Sequence, residues 1–123
     1  MKKISIIIVN YNSSKYLDQI FEMLNLQTFV DFEVVLIDNK STMDDAKYIH
    51  ESFVVSGKYG WLKFYESDKN GGFAYGVNFG VNRSGGEYLL IMNPDTEIRN
   101  VDFLNQVINI FKSEEELCSG KLI

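Results

Sequence analysis

Two short runs, residues 4–9 and 32–37, are apolar at nearly every position, and each is followed by residues with helical spacing. A strand that is apolar on both sides must be covered on both sides, as in a central parallel strand flanked by helices. The pattern then recurs along the chain. Leu17, Ile20, Phe21 and Leu24 fall at i, i+3, i+4 and i+7 behind Ser13 or Ser14 as a helix cap. Ser41 or Thr42 is placed to cap a second helix, with Asp44 and Asp45 in its first turn and Ala46, Ile49 and Phe53 as its buried stripe. Residues 61–65 read as a third strand, and Gly71-Gly72 opens a helix carrying Phe73, Ala74, Val77 and Val81 on one side. Residues 87–92 form a fourth strand and Asn93-Pro94-Asp95-Thr96 a turn. The last helix covers residues 100–112, with Leu104, Val107, Ile108 and Phe111 inward. The expected fold is therefore α/β: an open, mainly parallel sheet with helices on both faces.

Composition bounds what such a fold does. A chain of 123 residues suits one domain and buries roughly two-thirds of its unfolded surface. The single cysteine, Cys118, excludes an internal disulfide framework, and the single histidine, His50, excludes His-rich zinc sites. A net charge of −5 disfavours a partner bound by phosphate neutralisation, so no nucleic acid is expected. The apolar runs fall far short of the ~20 residues of a membrane-spanning helix. No small-residue cleavage site follows residues 4–9, so that segment reads as a buried strand of a cytoplasmic protein.

Parallel strands place their C-terminal ends on one sheet edge, where open α/β sheets bind ligands. The residues delivered there are Asn10, Tyr11 and Asn12 after the first strand and Asp38 and Asn39 after the second. Asp68, Lys69, Asn70, Gly71 and Gly72 follow the third, and Asn93 and Asp95 the fourth. This polar, carboxylate-bearing set suits an oxygen-rich ligand with a hard divalent cation. Each cluster also has a structural reading: a strand-terminating turn at Asp38-Asn39, a plain loop at 70–72, a self-sufficient turn at 93–96. Gly76 and Gly80 have the spacing of close helix packing. The segment 71–76 lacks the spacing of a dinucleotide fingerprint, and no Gly-Lys-Ser/Thr of a P-loop occurs. A receiver-like signalling module needs an acidic pair after the first strand, where this chain has Asn10-Tyr11-Asn12.

In this order, the edge residues resemble family 2 glycosyltransferases of the GT-A fold, especially the bacterial rhamnosyltransferase-like branch. The resemblance is carried by residues 5–12 (SIIIVNYN), 24–28 (LNLQT), 33–42 (EVVLIDNKST), 70–80 (NGGFAYGVNFG) and 87–96 (EYLLIMNPDT). It implies that Val9, Asn10 and Tyr11 line a nucleotide base, whose polar edge bonds to Asp38, with Asn12 and Asn39 also among the nucleotide-binding residues. It places Asn70, Gly71, Gly72 and Asn78 near base, ribose and diphosphate. The turn after the fourth strand resembles the family's Asp-x-Asp motif, with Asn93 at the ribose position and Asp95 holding Mn²⁺ or Mg²⁺. Asn93 departs from that motif, an amide standing for a carboxylate, and Met43 stands one residue before the expected acid.

The implied activity is inverting transfer from a nucleoside-diphosphate sugar, a UDP- or dTDP-sugar, to a hydroxyl of a saccharide or lipid-linked acceptor in cell-surface polysaccharide biosynthesis. A non-catalytic nucleotide-sugar-binding module is the alternative. The family's general base lies in an acceptor-binding half, expected beyond residue 123. Residues 118–123 look like the start of a further strand, so residues 1–123 read as the donor-binding half. Exposed apolar surface near the end of the chain implies a homo-oligomer, and an acceptor on a lipid implies peripheral association with the inner membrane face.

Overall fold

The computed structural model describes residues 2–120. Its sheet has four parallel strands, β1 (Ile4–Asn10), β2 (Phe32–Asp38), β3 (Leu62–Glu66) and β4 (Tyr88–Met92), in the order β3-β2-β1-β4. Every residue of the central strands β1 and β2 is buried, which is why their sequences do not alternate. The outer strand β4 does alternate, with Leu89 and Ile91 exposed. Helix α1 (Leu17–Asn25) is entered through a 3-10 turn at Ser14–Tyr16. Helix α2 (Asp45–Ile49) runs on through a π-helical turn, His50–Val54, and α3 (Phe73–Val81) and α4 (Phe103–Gly120) complete the set.

One sheet face, with Ile4, Ile6, Ile8, Val34 and Leu36, is covered by Leu17, Ile20, Phe21 and Leu24 of α1, by Ile49 and Phe53, and by Leu104 and Ile108 of α4. Phe21 meets the rings of Phe53, Tyr59 and Trp61 edge-on at 5.0, 5.8 and 5.5 Å, each pair adding about 0.5–1.5 kcal/mol beyond its buried area. The other face, with Ile7, Val35 and Ile37, lies against α3.

Helix α3 is turned differently from its apolar stripe. Gly76 and Gly80 are the buried residues, and a Cβ there would sit 2.7 Å from Val9 Cγ1 and 2.8 Å from Ile7 Cγ2. The glycine seam lets the helix backbone approach β1 and β2 closely, which leaves Phe73 and Ala74 exposed and Val77 and Val81 half-buried. The expected serine and threonine caps are also absent from α1 and α2: the Ser13 hydroxyl donates to Tyr11 O within its own loop, while the Ser41 and Thr42 hydroxyls accept from Asn12 of the β1–α1 loop. Ala46 is only half-buried. Helix α4 is longer than its apolar periodicity suggests, since the strong helix formers of residues 114–117 carry it onward. Cys118 thus lies in this helix and not in a further strand, and Lys121, Leu122 and Ile123 lie outside the described residues.

Two buried polar side chains tie distant segments together. Gln27 Oε1 accepts the Leu104 N–H at 2.9 Å and its Nε2 donates to Asn100 O at 2.9 Å, so the segment that follows α1 caps the start of α4. At the sheet edge where the strands begin, Glu33 accepts Ser5 Oγ–H (2.5 Å) and the Gly85 N–H (2.8 Å) and pairs with Lys63 Nζ at 2.6 Å. Gly86 N–H donates to Ser5 Oγ at 2.7 Å and closes this knot. Among the described residues, no helix is long and apolar enough to cross a membrane.

Candidate functional site

At the opposite edge, where the strands end, a cavity of about 270 Å³ is lined by Val9, Tyr11, Ser13, Asn39, Asn70, Gly72 and Phe73. It lies just below the range of about 300–1,000 Å³ usual for sites that enclose whole small-molecule ligands. Tyr11 is 42% and Phe73 54% exposed, so two aromatic rings in the lining are left open to solvent. Such rings suit a flat ligand group that stacks.

Backbone geometry shapes this mouth. Gly72, with φ 94, precedes α3 and turns the chain into the helix through a region that a side chain disfavours. Asn12 and Lys40 also have positive φ, 53 and 57, and bend the β1–α1 and β2–α2 loops toward each other. The Asn12 N–H donates to Ser41 Oγ (2.9 Å), Asn12 Nδ2 to Thr42 Oγ1 (2.9 Å), and the Met43 N–H to Asn12 Oδ1 (3.1 Å). Asn12 is therefore a lacing residue between loops, and Ser41 and Thr42 serve the same purpose.

Behind the cavity, Asn10 and Asp38 are fully or almost fully buried. Asp38 Oδ1 accepts Asn10 Nδ2–H at 3.0 Å and Ser41 Oγ–H at 2.6 Å, and Oδ2 accepts the Ser41 N–H at 3.2 Å. Asn39, next along, has both amide hydrogens engaged, on Asn70 Oδ1 (3.2 Å) and Gly72 O (2.9 Å), and its Oδ1 accepts Ser67 Oγ–H (3.0 Å). Asn39 thus shapes the wall by fixing the 70–72 loop, and its N–H groups are not free for a ligand. Asn70 Oδ1 also accepts the Gly72 N–H at 3.1 Å, and Asn70 is an exposed member of the lining. The Tyr75 hydroxyl donates to Asp68, holding that carboxyl below its ordinary range, and Lys69 Nζ lies 5.0 Å over the Tyr75 ring. These contacts brace the loop that leads into Phe73.

Of the residues singled out from sequence, Val9, Tyr11, Asn39, Asn70 and Gly72 meet in the lining, with Asn10, Asn12 and Asp38 woven behind it. Gly71 and Asn78 are exposed and outside the lining. Asn93 and Asp95 sit exposed after β4, beside β1 in the sheet, in a turn closed by the Thr96 N–H donating to Asn93 O at 3.1 Å. Ser13, Phe73 and the buried Asp45 carry only structural readings in the sequence, as a cap, a stripe residue and a first-turn acid. Phe73 belongs to a stripe whose apolar spacing points to the core, although its place directly after a glycine pair at a strand-end loop was a usable signal.

The family model described as glycosyl transferase family 2 matches residues 5–121. The chain belongs to this family. A curated relative, glycosyltransferase GlyG of Streptococcus pneumoniae serotype 4 (strain ATCC BAA-334 / TIGR4), is 26% identical over 113 residues, which are 92% of this chain and 35% of the relative. The amylovoran biosynthesis glycosyltransferase AmsB of Erwinia amylovora is 31% identical over 115 residues, 90% of this chain and 36% of that protein. Among solved structures, S. aureus TarS residues 1–349 in complex with UDP-GlcNAc superposes with a TM-score of 0.74 at 28% identity, covering 90% of this chain and 31% of that one. The family 2 chain described here thus has the GT-A α/β architecture and spans about a third of the length of these relatives.

Proposed function

We propose that this chain is the donor-binding half of a family 2 glycosyltransferase and that its cavity takes the nucleoside of a UDP- or dTDP-sugar. The observation that carries this reading is the cavity with two open aromatic rings at the strand-end edge, backed by the buried Asp38 carboxylate. The fold shared with TarS, whose complex holds UDP-GlcNAc, supports it. Tyr11 and Phe73 offer stacking surfaces for the base, and the exposed Asn70 amide in the lining offers a donor. The Asn93-Pro94-Asp95-Thr96 turn supports a place in the rhamnosyltransferase-like branch, with a saccharide or lipid-linked acceptor in polymer biosynthesis.

The donor set at this turn fits a divalent ion only in part. Asp95 and Asn93 offer hard oxygen atoms, but the described residues hold no group of three acidic, histidine or cysteine side chains that could hold a metal by themselves. This suits Mg²⁺ or Mn²⁺ arriving with a diphosphate, which supplies the other oxygens. Held at Asp95, the ion would supply charge neutralisation for the departing diphosphate. Inverting transfer also needs a base at the acceptor hydroxyl. Glu97 pairs with Arg99 at 2.6 Å, and Asp102 accepts Thr28 Oγ1–H at 2.6 Å, so the first two carboxylates after the turn are engaged elsewhere. This supports a base outside residues 1–123, and incubation of this chain with Mn²⁺, labelled sugar nucleotides and glycosides is expected to yield no product.

Calorimetric titration tests the binding reading. UDP or dTDP should bind with Mn²⁺ and weaken on chelation. Asp95→Ala should remove the metal effect and leave uridine binding intact. Asp38→Ala should weaken uridine itself, about tenfold, with or without metal, because the wall that Asp38 holds through Asn10 and Ser41 loses a charged acceptor. Equal affinity in Mn²⁺ and chelator would remove the metal assignment, and absence of any nucleotide binding would remove the whole reading.

A further inference from the structure

Asp45, the first residue of α2, is buried, and its position near the helix dipole does not account for its contacts. Its Oδ2 accepts two hydrogen bonds from the β1 side, Asn10 Nδ2–H at 3.0 Å and the Ser14 N–H at 2.9 Å. The Asn10 amide also donates to Asp38 Oδ1 at 3.0 Å, so one neutral amide bridges two buried carboxylates. The other end of that amide, Oδ1, is buried with no hydrogen-bond partner. A reversed amide would set this oxygen against both acids, so the two carboxylates dictate its orientation. Asn10 and Ser14 bracket Tyr11, Asn12 and Ser13, and two of those three line the cavity.

We propose that Asp45 is a positioning residue of the nucleoside cavity: it grips both ends of the Tyr11–Ser13 span with one oxygen and, through Asn10, fixes the Asp38 carboxylate behind it. The proposal rests on the nucleotide-binding reading above. It accounts for the Met43 departure, since the acid that joins this network is two residues further on and reaches the site from the first turn of α2.

Both bonds fall on one oxygen, so Asp45→Asn retains them through its amide oxygen, whereas Asp45→Ala loses both. Uridine titration should show about a tenfold weaker affinity for Asp45→Ala and near wild-type affinity for Asp45→Asn. In ¹H–¹⁵N spectra of the free proteins, the Ser14 amide and the Asn10 side-chain amide should move in Asp45→Ala and hold in Asp45→Asn. A folded Asp45→Ala chain that binds uridine like the wild type overturns the proposal. So does a folded Asp45→Asn chain that loses affinity, and this second variant decides the matter if Asp45→Ala melts below the titration temperature. A wild-type chain that binds neither uridine nor UDP instead brings down the nucleotide reading itself.

Discussion

Glu33 sits almost out of water at the edge of the sheet remote from the cavity. Burial pushes its carboxyl up, yet the Gly85 N–H, Lys63 and the Ser5 hydroxyl together hold it below the ordinary value. A carboxyl lowered in this way stabilises the fold fully above its unfolded value, about pH 4.3, and that contribution is lost as pH falls through the folded value. Acid titration of stability should therefore show a loss below that point that Glu33→Gln flattens, while the same variant lowers stability at neutral pH by about 1–3 kcal/mol. Equal acid sensitivity in both proteins would remove Glu33 from this role. At this scale the sequence was partly legible. Asp38 and Asn39 stand out because a polar pair ends an apolar run, and Asp38 does end β2, buried behind the cavity and outside its lining. The capture of the Asn39 amide by the 70–72 loop was hidden, because its partners are 31 and 33 residues away. Asp45 was hidden for the same reason: what buries it is an asparagine 35 residues earlier.

Strands and helices were read more faithfully than single contacts, because burial on two sides leaves an unbroken apolar run and burial on one side leaves a stripe. The exception is α3, where the stripe of Phe73, Ala74, Val77 and Val81 lost to a pair of glycines. Hydrophobic spacing measures how much a face gains from burial, but it does not register how close two backbones come. In α3 closeness wins, and the seam can be tested directly. Gly76→Ala and Gly80→Ala should each lower stability by about 1–3 kcal/mol in denaturant titration, since the new methyl meets Val9 or Ile7 and Ile37. Gly76→Ala should in addition weaken nucleotide binding, because Val9 lines the cavity. Unchanged stability in both variants would mean that the helix stands further from the sheet than described.

For the molecule as a whole, the uneven covering of the sheet matters most. Helix α3 lies over β1 and β2, and the same face of β4 shows Leu89 and Ile91, 42% and 48% exposed, on an outer strand, Tyr88–Met92, that carries no charge. Uncharged open edges promote pairing between chains. Sedimentation should show concentration-dependent association of this chain that Ile91→Lys suppresses, and a strictly monomeric wild type would refute this. The alternation within β4 was visible in hindsight only, since half-burial and full burial both admit Tyr-Leu-Leu-Ile-Met. The strand order has a consequence in time. β1 is flanked by β2 and β4, and Ile4 pairs with Tyr88, 84 residues later. At roughly 5–20 residues per second, a ribosome leaves this apolar strand without its second neighbour for about 4–17 s. The pace of translation, and whatever shields a nascent chain meanwhile, therefore bears on the yield of folded molecules as directly as any contact in the finished sheet.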